Sequence, residues 1–297
     1  MSNKQLKKFM IQQATHATSG KGMKYMRFKL LEEGGKSHQA TFFEDHDALK
    51  PGVFVDVMYE DDSFNGEPQL KVSAMRVTEG SPEAYLPHTP YNVGKMLSEL
   101  RGFVDSVTDR LFQALLLKAL EDERWQRAAA ATQIHHSYLG GLLEHTLNLA
   151  RLASKVSELY PRLRRDLLMT GAILHDIGKM DEMTSGINID YTAVGNLEGH
   201  IIIGRDRVIA WAKELSFDEE RRRLVSHLIL SHHGQGQFGS PKPPIVVEAQ
   251  VLCDIDGIDA HLGAMYAVID RTTAGREFSD KVKWETRLYL GTYEDKK

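Results

Sequence analysis

Five clusters in the C-terminal two-thirds of the chain carry side chains able to do chemistry: His145, His175-Asp176, His200, His232-His233 and Asp256. Four of them sit in or beside apolar, helix-like stretches, where an imidazole or carboxylate without a partner is costly. Convergence on metal ions would relieve that cost. Imidazole and carboxylate donors without thiolates suit manganese, iron, cobalt, nickel or zinc. Five or six donors exceed what one four-coordinate zinc needs. Two ions about 3.5–4 Å apart can clamp a phosphoryl group and turn water into a hydroxide nucleophile. Taken together, the clusters point to a metal-dependent hydrolase.

Each cluster also has a plainer reading. His145 lies inside an amphipathic helix, with Leu142, Leu149 and Leu152 on its general face, where a hydrogen-bonded core histidine would also serve. His175 and Asp176 end an apolar run of Leu167, Leu168, Ala172, Ile173 and Leu174. Adjacent residues on a helix diverge by about 100°, so the two can reach two ions or bridge them, or His175 can be a helix-end cation stabilised by the dipole. Gly178 is available to stop that helix. His200 opens a helix after a loop and could be a cap. In Ser231-His232-His233-Gly234 one histidine could ligate while the other meets substrate, or both could be helix-end cations. Asp256 and Asp259 share a face at i and i+3, and Val251, Leu252, Ile255 and Ile258 argue that their helix is mostly buried.

The elements that position these residues follow from periodicity. The chain of 297 residues suits one large or two ordinary domains, and its character changes near residues 80–90. Residues 9–78 read as short strands. Met26, Phe28 and Leu30 alternate onto one face, 40–43 and 53–59 follow the turn signals Gly34-Gly35 and Pro51-Gly52, and Asn65-Gly66 marks a hairpin tip before 69–77. Four or five short strands in this length suggest a small barrel or sandwich. After a proline-rich linker, apolar spacing of three and four residues predicts helices over 93–120, 139–159, 167–177, 200–215, 220–230 and 244–269. The resulting fold class is multidomain, β then all-α, with a β domain at 1–84 and a helical domain at 85–297 whose metal-site core spans 130–262.

Bulk properties narrow the function classes. Net charge is −4, so nucleic-acid binding needs a local basic patch. Residues 1–80 balance Lys and Arg against as many Asp and Glu, and no strong footprint appears there. The single cysteine, Cys253, excludes an internal disulfide framework and a Cys-rich zinc site. The basic N-terminus is followed by no apolar h-region, and no apolar run approaches the length of a membrane span. The expected location is the cytoplasm, with no membrane partner. The tail at 281–293, with Trp284, Leu288, Tyr289 and Leu290, could pack on the core or on another subunit, which leaves a homo-oligomer open.

The order His, His-Asp, His, His, Asp resembles the HD-domain metal-dependent phosphohydrolase superfamily, and His175-Asp176-Ile177-Gly178-Lys179 is its most specific piece. The match covers about 130–262. The run from His135-His136-Ser137-Tyr138 through Glu144-His145-Thr146, together with Ser231-His232-His233-Gly234, Phe238-Gly239-Ser240-Pro241 and Glu248-Ala249, resembles the YhaM-type 3′-to-5′ exoribonucleases. That family joins an N-terminal OB-fold to a C-terminal HD domain. The resemblance implies metal ligation by His145, His175, Asp176 and Asp256, with His200 and His232 toward a second metal. Manganese is the first choice, and iron, cobalt, nickel, zinc or magnesium are alternatives. His175, Asp176 and Lys179 would act on the phosphate, Lys179 as a cation facing its oxygens. His233 would touch substrate or join the second metal, and the His135-His136 pair would touch substrate or start a helix. Cys253 stands where the family leads one to expect a histidine. In the OB-fold, Tyr25, Arg27 and Lys29 on one strand face, with Phe43, Phe64 and Lys71, would hold a single strand by stacking over a basic groove. The implied substrate is single-stranded RNA, with single-stranded DNA also open. A hydrolase of small nucleotides or cyclic dinucleotides and a non-enzymatic single-strand-binding regulator are the alternatives.

Overall fold

The computed structural model describes residues 4–44, 46–132, 136–273, 275–282 and 286–291; His135 and Trp284 lie outside these. The chain divides into two compact units, Met1–His88 with Gly186–Asn188, and Thr89–Ser185 with Ile189–Lys297.

In the first unit, Met26, Phe28 and Leu30 are buried and Arg27 between them is exposed, as the two-residue period of a strand requires. Five strands, β1 (Gln5–Thr18), β2 (Lys24–Leu31), β3 (Ser37–Phe42), β4 (Phe54–Phe64) and β5 (Glu67–Thr78), close an OB-like barrel in the order β1-β2-β3-β5-β4. β3 and β5 run parallel, pairing Ala40 with Leu70, and the other neighbours are antiparallel. Asn65 and Gly66 turn the chain between β4 and β5 at φ 53° and 84°, the left-handed conformation that Asn-Gly accepts with little strain. β1 starts four residues before the expected strand region, in mostly exposed polar sequence. Its pairing with β4, from Gln5 opposite Tyr59 onward, makes it a strand; barrel closure defines it where alternation does not. Phe9, Ile11, Phe28, Val55, Val57 and Leu70 fill the interior.

The second unit is mainly helical. In place of one helix over 93–120 there are two, α1 (Val93–Asp105) and α2 (Arg110–Leu120). Two carboxylates make the break. Asp109 accepts from the N–H groups of Leu111 and Phe112. Asp166, distant in sequence, accepts from those of Thr108 and Asp109. Backbone donors satisfied by side chains have no need of a continuing helix. There follow α3 (Gly141–Leu159), α4 (Arg165–Leu174), the short α5 (Lys179–Glu182), α6 (Ala193–Glu214), α7 (Glu219–Ser231) and α8 (Val247–Arg271), then the paired strands β6 (Phe278–Lys281) and β7 (Arg287–Tyr289). Leu100, Leu115, Trp125, Leu142, Leu168, Ile229 and Leu252 form the core. In the tail, Ser279 and Val282 are buried and Tyr289 is exposed. No described helix is long and apolar enough to cross a membrane.

Helix boundaries around the candidate ligands differ from the reading by periodicity. α6 begins within the stretch expected to be a loop, and breaks at Gly199, whose φ of 75° and ψ of 155° only glycine adopts readily. His200 opens its second half. Gly178 does not stop α4 by a left-handed turn; it is right-handed at φ −65°. Its role is steric. A Cβ there would lie 2.0 Å from the His200 carbonyl oxygen and 2.6 Å from the Gly204 nitrogen, so glycine is what lets α5 and α6 cross at this distance.

Candidate metal centre

Helix ends bring most of the candidate ligands together. His175 follows the last residue of α4, His232 follows the last of α7, and His200 follows the break in α6. His145 and Asp256 project from within α3 and α8. Asp176, 2% exposed, lies at the junction. Its Oδ2 is 3.3 Å from His175 Nε2 and 3.5 Å from His145 Nε2. Its Oδ1 is 3.4 Å from His200 Nε2 and 3.6 Å from His232 Nε2. Asp256 Oδ1 stands 3.3 Å from His145 Nε2. Two atoms each about 2.1 Å from one ion, at angles of 90–110°, lie roughly 3.0–3.5 Å apart. The donors therefore sit at the spacing of ligands in two groups that share Asp176, namely His145, His175 and Asp176 with Asp256 beside them, and Asp176, His200, His232 and His233. His136, His145 and Asp259 make a third group of possible donors, joined by hydrogen bonds to Asp259.

The hydrogen bonds behind the rings make the case stronger than proximity does. His175 Nδ1 faces the Ala172 carbonyl at 3.2 Å, His232 Nδ1 the Ile229 carbonyl at 2.7 Å, and His233 Nδ1 the Phe238 carbonyl at 3.0 Å. A carbonyl oxygen only accepts, so Nδ1 carries a proton and Nε2 is left to face the centre, as a lone pair when the ring is neutral. His145 and His200 are held likewise by carboxylates, Asp259 Oδ2 at 2.7 Å and Glu182 Oε1 at 2.9 Å. Such outer partners set the tautomer and orientation of metal-binding histidines. Among the described residues, Asp176 Oδ1, His200 Nε2 and His232 Nε2 are buried with no hydrogen-bond partner. Buried polar atoms left this way are expensive, and a divalent cation would satisfy all three. The residues fit divalent metal binding.

Electrostatics agree. Burial raises the Asp176 carboxyl, but the Lys179 ammonium and the His175 ring outweigh it and hold it well below the usual carboxylate range. Lys179 Nζ donates to Asp176 Oδ2 at 2.6 Å. Burial lowers His145, yet Asp256 and Asp259 override it and lift the ring to about 9, a measure of the site's demand for positive charge. Burial lowers His232, and burial with the neighbouring His232 pushes His233 down to about 3. Both shifts run against a reading of this pair as helix-end cations.

In the first unit, a groove of about 680 Å³ is lined by Tyr25, Arg27, Phe43, Phe64 and Lys71, with Asp62 and Glu67 also on its wall. The Tyr25 and Phe43 rings lie 5.5 Å apart, Arg27 sits 5.5 Å over the Tyr25 ring, and its guanidinium donates to the Tyr25 hydroxyl. Phe43 and Phe64 are half exposed or more. Lys29 is not part of the lining.

The HD domain family model matches residues 142–261. A protein of Listeria innocua serovar 6a, "3′-5′ exoribonuclease YhaM", is 34% identical over 283 residues, covering 92% of this chain and 90% of the relative. Proteins of the same name from Shouchella clausii and Bacillus subtilis (strain 168) are 38% identical over 226 residues and 32% over 284; the first covers 74% of this chain and 70% of the relative, the second 92% and 90%. The chain belongs to the YhaM 3′-5′ exoribonuclease family.

In this YhaM-family chain the fold brings together the six residues expected as metal donors, His145, His175, Asp176, His200, His232 and Asp256. His233, expected at substrate or at the second metal, lies within donor distance of Asp176, His200 and His232. His136, also expected at substrate, sits behind the ligands, 3.2 Å from Asp259 and 2.9 Å from the Tyr138 hydroxyl, at φ 51°. Asp259 and Glu182 were not foreseen as supports. The i, i+3 pairing with Asp256 was a signal for Asp259, which Asn148 also holds, at 2.9 Å. Glu182 had none. It accepts from both the backbone N–H and Nδ1 of His200, so one carboxylate caps the second half of α6 and orients its ligand. Cys253 is half-buried beside Gly234.

Proposed function

We propose that this protein is a divalent-metal-dependent 3′-5′ exoribonuclease. It hydrolyses single-stranded RNA, and single-stranded DNA as a second polymer, to nucleoside monophosphates, with two manganese ions as the working metals. The observation that carries this reading is the set of five Nδ1-tethered imidazoles whose Nε2 atoms converge on a shared Asp176. The names of the relatives support the polymer and the polarity.

Divalent ions at such a site supply Lewis acidity and lower the pKa of a bound water. His145, His175, Asp176 and Asp256 would hold one ion, and Asp176, His200, His232 and His233 the other. Asp176 keeps both positions in register. Lys179 neutralises the Asp176 carboxylate and adds a cation beside the path of the phosphoryl oxygens. Tyr25, Phe43 and Phe64 stack bases, and Arg27 and Lys71 meet the backbone, which gives sequence-tolerant, salt-sensitive binding. We place the activity in the cytoplasm, which suits a chain whose lone cysteine forms no internal disulfide.

The test is incubation of the purified chain with Mn²⁺ and RNA bearing a free 3′ end. Accumulation of 5′-monophosphates from that end is the expected product pattern. No monophosphate release, or undiminished release by Asp176→Ala, would overturn the proposal.

A further inference from the structure

Single-stranded RNA is a polyanion, and an enzyme that processes it needs cations aimed at its phosphates. The barrel groove offers two, Arg27 and Lys71, against two carboxylates. The helical unit carries a more one-sided surface. Between α6 and α7 lies a groove of about 390 Å³ lined by Arg205, Lys213, Arg222 and Arg223, with Glu219 the one carboxylate among its lining residues. Arg205 donates to Ser226 across it at 3.3 Å. Lys213 and Arg223 are exposed, and Arg205 and Arg222 half-buried.

Its position ties this groove to the metal centre. α6 and α7 are the helices that supply His200 and His232. Arg205 follows His200 by five residues, about 7.5 Å at 1.5 Å per residue. On the other wall, Leu230 precedes His232 by two. Along α6 the lining runs from Arg205 to Lys213, about 20 Å beyond His200. At about 100° per residue, Arg205 and Leu230 lie on helix faces other than those of His200 and His232, so the groove is a surface apart from the ligands on the same two helices. Arg205 pairs with Asp206, and Arg223 with Glu219. Both are surface pairs of small net value, which a phosphate can replace at little cost.

We infer that the α6–α7 groove is a second, sequence-independent contact for the phosphate backbone of the RNA substrate, separate from the barrel groove. The inference rests on the exoribonuclease reading above. It assigns to the helical unit the basic patch that a chain of net charge −4 requires.

The experiment compares the metal-loaded full chain with a Lys213→Ala/Arg222→Ala/Arg223→Ala variant on a long oligoribonucleotide and on a diribonucleotide, across a salt series. The variant is expected to raise KM for the long RNA about ten-fold. It should flatten the slope of log(kcat/KM) against log salt by about 2, at roughly 0.7 per lost contact. Its kcat, metal content and diribonucleotide turnover should match the wild type. Lys213→Ala alone, at an exposed site, should flatten the slope by about 0.7. An unchanged KM and salt slope on long RNA would overturn the inference and leave the groove to another anion. Equal losses on both substrates would overturn it too, as damage at the metal centre. If the wild type leaves RNA intact, the exoribonuclease reading falls and takes this inference with it; if the wild type degrades RNA and the variants match it, this inference alone falls.

Discussion

Gly178→Ala tests whether the close crossing of α5 and α6 sets the second metal position. The added Cβ would lie 2.0 Å from the His200 carbonyl oxygen, where ordinary contact begins near 3.4 Å. The atoms it meets are backbone, from His200 and Gly204, and no flexible side chain can yield. The crossing must open by about 1.4 Å along that line. His200 then moves relative to Asp176, whose Oδ1 is 3.4 Å from its Nε2, while metal-ligand distances tolerate only about ±0.2 Å. His145 and Asp256 lie within α3 and α8, outside the two segments that clash. The variant should therefore keep one tightly held metal and lose the other. Overpacking costs about 1–3 kcal/mol, and backbone against backbone belongs at the upper end. At roughly 2–4 °C per kcal/mol for a unit of this size, Tm falls about 6–12 °C. Elemental analysis after equilibration with Mn²⁺ gives the stoichiometry, calorimetry gives Tm, and monophosphate release gives activity. Gly102→Ala, where a Cβ meets nothing within 4 Å, is the control and should be stabilising by up to about 1 kcal/mol. Two metals per chain and a wild-type Tm in Gly178→Ala would refute the reasoning.

Other variants probe the supports and the groove. Glu182→Ala removes the acceptor for two His200 N–H groups, and should weaken one metal site about 10–100-fold while sparing the other; calorimetric metal titration would show two classes of site. Asp259→Ala should do the same to the His145 site, so the double variant weakens both. Phe43→Ala, at a half-exposed ring beside Tyr25, should reduce affinity for a single strand by about 1–3 kcal/mol, with metal content unchanged, measured by fluorescence anisotropy. Asp109 is held below its ordinary value: burial raises it, but Arg221 and the α2 N–H groups outweigh that. Because the folded pKa lies below the unfolded value of about 3.9, the stabilisation is present above pH 4 and is lost as pH falls through the folded pKa. Asp109→Asn should flatten stability against pH in that acid range, as followed by urea unfolding.

Much of the architecture was legible because its causes are local. Alternation put Met26, Phe28 and Leu30 inside a strand, Asn65-Gly66 specified a hairpin, and residue types at a recognisable order singled out six residues that the fold brings together. These depend on near neighbours or on one side chain's chemistry. What periodicity could not show has distant causes. Asp166 breaks the helix at 106–109 from far along the chain, and an uninterrupted apolar pattern hides that. Gly178 looks like a helix stop, but the carbonyl of His200, on another helix, is why it must be glycine.

The sequence by itself determined the order of a β unit and a helical unit, the histidines and carboxylates offered as donors, and the family. Only the tertiary structure decided which nitrogen of His145 and of His200 faces the centre, because their acceptors, Asp259 and Glu182, come from other helices. It also decided that His233 lies within donor distance of Asp176 while His136 pairs with Asp259 and Tyr138. The same holds for the division of charge: composition gives the total, but the neighbours of α6 and α7 determine where four cations face one carboxylate. A side chain's chemistry is written in its type; its partners are chosen by the packing of segments that the sequence keeps apart.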